Sequence, residues 1–156
     1  MARCAVSIDA VEAVPALTLT TTCVPPPLGR RVRGSVLVVE DQRDAREMLA
    51  EYLEFCGFVV HTAADGLEAI AVAMRVHPPI ILMDLMMPRM DGWEATRRLK
   101  ADPRTGDITI IALSAHSPTG DERSNRSTGW DDFIEKPCDL AGLAAVLRDF
   151  FYRRCH

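Results

Sequence analysis

Three acids, one hydroxyl and one cation stand where short apolar runs of the sequence end: Glu40, Asp41, Asp84, Ser114 and Lys136. Three carboxylates in one crevice repel one another and need a compensating cation. Carboxylate oxygens together with water are ligands that Mg²⁺ accepts, with phosphate oxygens at the remaining positions. Taken singly, each residue type has a commoner fate, because an acid caps a turn or helix and a lysine lies at the surface.

A carboxylate held beside a divalent cation can act as a nucleophile toward phosphorus. Phosphoryl transfer needs mainly positioning and neutralisation of the charge on the equatorial oxygens. In such a site Asp84 attacks, and one phosphoryl oxygen is bound by the metal. Lys136 binds a second oxygen, and the Ser114 hydroxyl with the amide of Ala115 binds a third. This assignment gives a role to every polar residue that follows an apolar run.

The elements that must position these residues alternate along the chain. Apolar, β-branched runs predict strands at Val36–Val39, Phe58–Thr62, Ile80–Met83, Ile108–Leu113 and Asp132–Glu135. Helical spacing predicts helices over Gln42–Cys56, Leu67–Val76, Trp93–Ala101 and from Leu140 onward. Such alternation implies an α/β fold, a doubly wound five-stranded parallel sheet with right-handed crossovers and helices on both faces. Since parallel strands end at one edge, residues distant in sequence can meet there.

Two helices carry specific expectations. The second helix is expected to bury an inner stripe that consists of Leu67, Ile70, Ala71, Met74 and Val76. The segment Ser117–Gly129 occupies a helix position in the alternation but contains no large apolar residue. We therefore expect this segment to be short, mobile or rearranged.

The composition favours one domain. The chain has 156 residues, of which 48% are hydrophobic and 26% charged. Residues 1–34 carry a net charge of +2 and the remainder −6, so a basic nucleic-acid-binding stripe is not expected. Residues 1–34 read as a flexible, disordered extension, because they combine threonine, proline and arginine clusters and contain no apolar run long enough to span a bilayer. We expect no membrane span, scattered reduced cysteines, no zinc site, and a cytoplasmic location.

Four groups of residues resemble the receiver domain of two-component response regulators. They are the pair Glu40-Asp41, the run from Asp84 to Gly92, the pair Ser114-Ala115, and the segment from Gly129 to Pro137. The resemblance covers about residues 35 to 152, and we assign the receiver domain to residues 35–156. It implies the flavodoxin-like strand order 2-1-3-4-5.

The resemblance also implies roles for individual residues. It implies Asp84 as the phosphoacceptor and Mg²⁺ as the cofactor. The implied metal site consists of Glu40, Asp41, Asp84 and the backbone carbonyl of Met86, while Lys136 contacts the phosphoryl group. Ser114 and Phe133 stand at the switch positions, and the bond before Pro137 is expected to be cis. Two residues depart from the common pattern, since Glu40 replaces the usual Asp and Ser114 lacks the methyl group of Thr.

The function implied by the family is phosphorylation-dependent signalling. A histidine kinase or histidine phosphotransfer protein donates the phosphoryl group, the surface changes, and the group is slowly hydrolysed. The protein would then act on itself and not as an enzyme on a separate substrate. About twenty residues follow Lys136, so we expect no DNA-binding output domain and expect output through a partner protein, a homodimer or onward phosphotransfer.

Two alternatives remain from the sequence. One is a pseudo-receiver that binds partners without phosphorylation. The other is a magnesium-dependent phosphatase with an aspartate nucleophile. Such enzymes usually place a general acid two residues after the nucleophile, where this chain has Met86.

Overall fold

A five-stranded parallel sheet forms the centre of the computed structural model, which describes residues 34–115 and 129–155. The strands are β1 (Ser35–Val39), β2 (Val59–Ala63), β3 (Ile80–Asp84), β4 (Thr109–Ser114) and β5 (Asp132–Glu135). The described helices are α1 (Arg43–Phe55), α2 (Gly66–Val76), α3 (Gly92–Ala101) and α4 (Leu140–Cys155). The strand order β2-β1-β3-β4-β5, with every pairing parallel, confirms the predicted fold and topology.

Two predicted segments lie almost entirely outside the described residues. The N-terminal extension is described only at Gly34, and the polar segment Ser117–Gly129 only at Gly129. Both predictions about these segments therefore stay predictions.

The sheet separates two apolar cores, one on each face. Alternate residues of β1 point to opposite cores: Leu37 and Val39 pack with α2 and α3, whereas Val36 and Val38 pack with α1 and α4. Every residue of β3, including the terminal Asp84, is buried. A central strand with apolar neighbours on both faces needs an uninterrupted apolar run, which is why its sequence does not alternate.

The buried stripe of α2 differs from the predicted one. Leu67 is 53% exposed and Ala71 is also exposed. The buried side chains are the small Ala69 and Ala73, together with Val72, whereas the predicted Ile70 and Val76 are partly buried and pack against the same core. A helix that lies close to its neighbours buries small residues where the contact is closest and leaves larger ones at the margin. In α1, likewise, Met48 and Phe55 are exposed although they continue the apolar pattern.

The turn between β3 and α3 is unusually tight. The amide of Gly92 donates a hydrogen bond of 3.2 Å to the Leu85 carbonyl, and Asp91 caps α3 through the Glu94 amide at 2.8 Å. A Cβ atom at position 92 would collide with the backbone carbonyl of Asp84. Only glycine allows the start of α3 to come this close to the end of β3.

Strand β5 is tied to its neighbours just before it begins. The Asp131 carboxylate accepts hydrogen bonds from Lys100 Nζ at 2.7 Å and from the Ile110 amide at 2.8 Å. The ring of Trp130 lies 4.4 Å from the ring of Trp93, measured between centroids. These contacts join β5 to α3 and β4, and so fix the strand that delivers Lys136. In the described part of the chain, no helix has the length and apolar character needed to cross a membrane.

Candidate functional site

Glu40 and Asp41 lie in the short connection between β1 and α1. The Glu40 amide continues the sheet by donating to the Ala63 carbonyl at 3.1 Å. The Glu40 side chain is 4% exposed, and its Oε1 atom is 3.5 Å from the Gln42 amide. The N-cap residue of α1 is Gln42, which makes no side-chain cap. Neither acid is therefore the N-cap residue of α1, although helix capping is the common structural role of an acid at such a position.

Asp84 is the last residue of β3 and is 5% exposed. Its Oδ1 atom accepts a hydrogen bond of 3.0 Å from the Met86 amide. The carboxylate thus has the local turn-forming role that an acid often takes after a strand. Its other oxygen, Oδ2, faces the cation described next, so the same side chain serves both the turn and the site.

Lys136 joins the two buried acids. Its ammonium nitrogen is 2.6 Å from Glu40 Oε2 and 3.0 Å from Asp84 Oδ2. The Lys136 amide donates to the Ser114 carbonyl at 2.7 Å, which holds the residue at the end of the sheet. The Lys136–Pro137 peptide bond is cis, as the family resemblance implies. With only 27% of its side chain exposed, Lys136 is not an ordinary surface cation.

The pKa shifts of Glu40 and Lys136 follow from burial and from the charges that these groups and Asp84 carry. Burial raises the pKa of the Glu40 carboxyl above its usual value; the hydrogen bond from Lys136 opposes this shift, and the Asp84 charge adds to it. Burial acts to lower the pKa of Lys136. The hydrogen bonds to Glu40 and Asp84, with the charges of these acids, outweigh it and raise the pKa overall. Lys136 therefore stays protonated at neutral pH.

The three acids are close enough to share one cation. One carboxylate oxygen each of Glu40, Asp41 and Asp84 lies within 4.8 Å of the others. These are hard oxygen donors, and they fit Mg²⁺, which binds one or two carboxylates with waters. Met86, whose backbone carbonyl the family resemblance adds to this set, lines the same cleft. The residues present therefore suit the cofactor that the sequence predicts.

The cleft above these acids has a volume of about 540 Å³. Its polar end holds Glu40, Asp41, Asp84 and Lys136, and its apolar wall consists of Ala45, Met48, Leu49, Cys138 and Leu140. Sequence reasoning did not anticipate this apolar wall. The sequence carries no clear signal for it, because Met48 continues the apolar pattern of α1 and only the structure shows that this side chain is exposed.

Ser114 and Phe133, the remaining predicted site residues, lie on β4 and β5 and are not among the residues that line the cleft. Ser114 ends β4 and is 7% exposed, and Ala115 lines the cleft. Phe133 is half-buried and pairs with Ala112 in the register of β4 and β5, two residues before the pair Ser114 and Glu135. All the predicted site residues thus lie at the carboxyl edge of the sheet or on the adjacent strand β5.

One residue near the acids was not anticipated. Arg46, in the first turn of α1, donates from Nη1 to the backbone carbonyls of Glu40 at 2.7 Å and Asp41 at 3.3 Å. No pattern of apolar spacing signals such a contact, because the acceptors are backbone atoms.

Comparison with known proteins agrees with this geometry. Residues 36–148 match the family of the response regulator receiver domain. The chain is 32% identical over 118 residues to the DNA-binding dual master transcriptional regulator RpaA of Synechocystis, covering 76% of this chain and 49% of that protein. It is 37% identical over 119 residues to the response regulator MprA of Mycobacterium leprae, covering 76% and 51%. The chain thus spans about half the length of these curated relatives.

Solved structures show the same fold. The receiver domain of the sensor histidine kinase PA1611 from Pseudomonas aeruginosa, which has a magnesium ion coordinated in its active site cleft, is 32% identical. The match has a TM-score of 0.68 and covers 76% of this chain and 98% of that one. The chemotaxis protein CheY4 of Vibrio cholerae is 27% identical with a TM-score of 0.69, covering 75% and 98%.

Proposed function

The chain belongs to the response regulator receiver domain family, and from this we propose that it accepts a phosphoryl group on Asp84 and signals through the resulting surface change. The observation that carries the proposal is the contact of one lysine ammonium with two buried acids in an open cleft. We propose a histidine kinase or histidine phosphotransfer protein as the donor, since the receiver family implies such a partner.

The residues of the cleft have distinct tasks in this reaction. A carboxylate oxygen of Asp84 bonds to phosphorus as the phosphorus–nitrogen bond of the donor breaks. The Lys136 ammonium, already 3.0 Å from Asp84, binds a phosphoryl oxygen and offsets its charge. Ala115 lines the same cleft, and the Ala115 amide together with the Ser114 hydroxyl would bind another. Because Asp84 is both nucleophile and product, the protein acts on itself and has no separate substrate.

Mg²⁺, when held by Glu40, Asp41, Asp84 and the Met86 carbonyl, would neutralise phosphoryl charge and orient the incoming group. Lys136 alone cannot offset three carboxylates and an incoming phosphoryl group. The buried acids therefore make the reaction dependent on a divalent cation.

Switching would follow from the contact that the phosphoryl group makes with Ser114. When the hydroxyl moves toward the new oxygens, it vacates space that the ring of Phe133 can enter. Phe133 lacks a phenolic hydroxyl, so packing alone sets the bias of its rotamer. The outer surface near β5 changes as a result, and that surface would be read by a partner protein.

Phosphate labelling tests the proposal. With Mg²⁺ and a radiolabelled small phosphodonor or kinase, we expect label on the wild type, none on Asp84→Asn, and none after removal of Mg²⁺ with EDTA. Asp107→Asn is the matched control, because Asp107 lies before β4 with a side chain 65% exposed and outside the cleft. Label that survives Asp84→Asn would contradict the proposal, and no label on the wild type from any donor would favour the pseudo-receiver alternative.

Output through a partner is tested by capture with and without the phosphate mimic beryllofluoride and Mg²⁺. Partners retained only with the mimic would support switching. Partners retained equally in both conditions would indicate phosphorylation-independent binding. The same samples, run on a sizing column, would report whether the mimic induces a homodimer.

A further inference from the structure

Arg46 is placed to hold the backbone that carries the metal-site acids. Its guanidinium donates hydrogen bonds from Nη1 to the carbonyl oxygens of Glu40, at 2.7 Å, and Asp41, at 3.3 Å. Its backbone amide donates to the next carbonyl, that of Gln42, at 2.9 Å. Arg46 therefore donates hydrogen bonds to three successive carbonyls of the connection between β1 and α1.

This connection has little other support on that side. The amide of Glu40 is bound to β2 through Ala63, but its carbonyl lies beyond the end of the strand. The N-cap residue Gln42 makes no side-chain cap that would hold the start of α1. Without Arg46, the carbonyls of Glu40 and Asp41 would lose the hydrogen bonds that orient their peptide planes, and the plane after Asp41 would keep the long 3.5 Å contact between the Gln42 amide and Glu40 Oε1.

The three acids differ in how their carboxylates are aimed. Those of Glu40 and Asp84 are each bound by Lys136, and Asp84 also accepts from Met86. No residue of the described ranges 34–115 and 129–155 donates a hydrogen bond to the Asp41 carboxylate. The direction of Asp41 therefore depends on its backbone, and Arg46 is the side chain that holds that backbone.

We propose that Arg46 is a positioning residue for Mg²⁺ binding, acting through the backbone carbonyls of Glu40 and Asp41. It contacts neither the metal nor the phosphoryl group. Groups that orient metal ligands typically contribute 10- to 100-fold to metal affinity. This inference rests on the proposed function, since it assumes that the acid cluster binds Mg²⁺.

The test is calorimetric titration of Mg²⁺ into Arg46→Met, which keeps the apolar stem but removes the donors. We expect the Mg²⁺ dissociation constant to rise about tenfold. The rate of phosphorylation by acetyl phosphate should recover to within about twofold of wild type at saturating Mg²⁺, since only metal affinity is lost. Arg43→Met is the matched control, because Arg43 lies in the same helix turn, is 79% exposed and, among the residues that the structure describes, forms an ion pair only with Glu47.

The possible results are distinct. A lowered melting temperature with an unchanged Mg²⁺ dissociation constant would show a merely structural role and overturn the inference, as would equal effects in Arg46→Met and Arg43→Met. If Arg46→Met does not fold, Arg46→Gln decides, because its shorter amide cannot reach both carbonyls; an unchanged dissociation constant there overturns the inference. A wild type that binds no Mg²⁺ would overturn the proposed function as well.

Discussion

Lys136 balances charge for two acids that the fold removes from water. The side chains of Glu40 and Asp84 are 4% and 7% exposed, and both contact the same ammonium. A buried carboxylate without a partner is costly, whereas a buried pair contributes little net stability. The buried charges of the site therefore reduce the stability of the fold. Removing the cation should destabilise the protein further, whereas removing one of the acids should not.

Replacing Lys136 with Met should lower the free energy of unfolding by about 2 to 3 kcal/mol, because two buried acids lose their counter-charge. Asp84→Asn should leave it unchanged or raise it by about 1 kcal/mol, because one of three mutually repelling charges is removed. Urea unfolding at pH 7 in EDTA measures both. Similar losses in the two variants would contradict this account of the site.

The raised pKa of Glu40 predicts a pH dependence with a definite sign. The native state holds this proton at pH values where the unfolded chain, with an ordinary pKa of 4.5, has released it. Folding stability from this residue is therefore greatest below pH 4.5 and is lost as the pH rises toward the native pKa. Measured in EDTA, the stability of wild type relative to Glu40→Gln should fall as the pH is raised from 4.5 to 7. A rise over this interval would show that the Lys136 bond outweighs burial.

At the scale of elements, the site depends on how closely α3 approaches the end of β3. The start of α3 lies against the Asp84 carbonyl, and the Leu85 amide donates to the Leu113 carbonyl at 3.1 Å. The turn carrying Met86 is thereby held between β4 and α3. The turn can have this geometry because Gly92 carries no side chain.

Gly92→Ala should therefore affect both stability and chemistry. The added methyl group must displace the Asp84 backbone, at a cost of about 2 kcal/mol or more, and phosphorylation of Asp84 should slow because the nucleophile moves. Gly142→Ala, in the first turn of α4, is the matched control. The three atoms nearest to the added methyl group all belong to the Asp139 side chain, at 3.2 Å or more, so the free energy of unfolding should change by no more than about 1 kcal/mol. Equal effects of the two substitutions on urea unfolding would refute the argument.

At the scale of the whole molecule, the site brings together Glu40 and Asp41 just after β1, Asp84 at the end of β3 and Lys136 just after β5. A cation bound there contacts only the folded arrangement, because the unfolded chain separates these residues. Binding at the site is therefore linked to the stability of the entire sheet and not to one loop.

Mg²⁺ should accordingly stabilise the protein against urea by about 2.7 kcal/mol at a concentration 100 times its dissociation constant. Asp41→Asn should reduce this gain, and NaCl at matched ionic strength controls for screening. If NaCl produces the same gain as Mg²⁺, the effect is general screening and the acids do not form a specific site.

Local patterns in the chain were sufficient to predict the strands, and the central strand β3, which is covered on both faces, has the continuous apolar run that such a strand needs. β5 was predicted with its observed bounds, and the others within a residue or two. The strand order came from the family resemblance of the residues around Asp84 and Lys136, and the observed topology confirms it. The same local patterns also predict that the three acids lie where strands end.

Contacts between distant parts of the chain were decided by tertiary structure alone. Lys136 meets acids 52 and 96 residues away, at distances set by sheet register and by the path of the chain after β5. The buried stripe of α2 depends on how near α3 lies, and the Arg46 contacts involve backbone carbonyls that carry no sequence signature. Periodicity reports which side of an element is apolar, but atomic distances between elements arise only when the whole sheet is assembled.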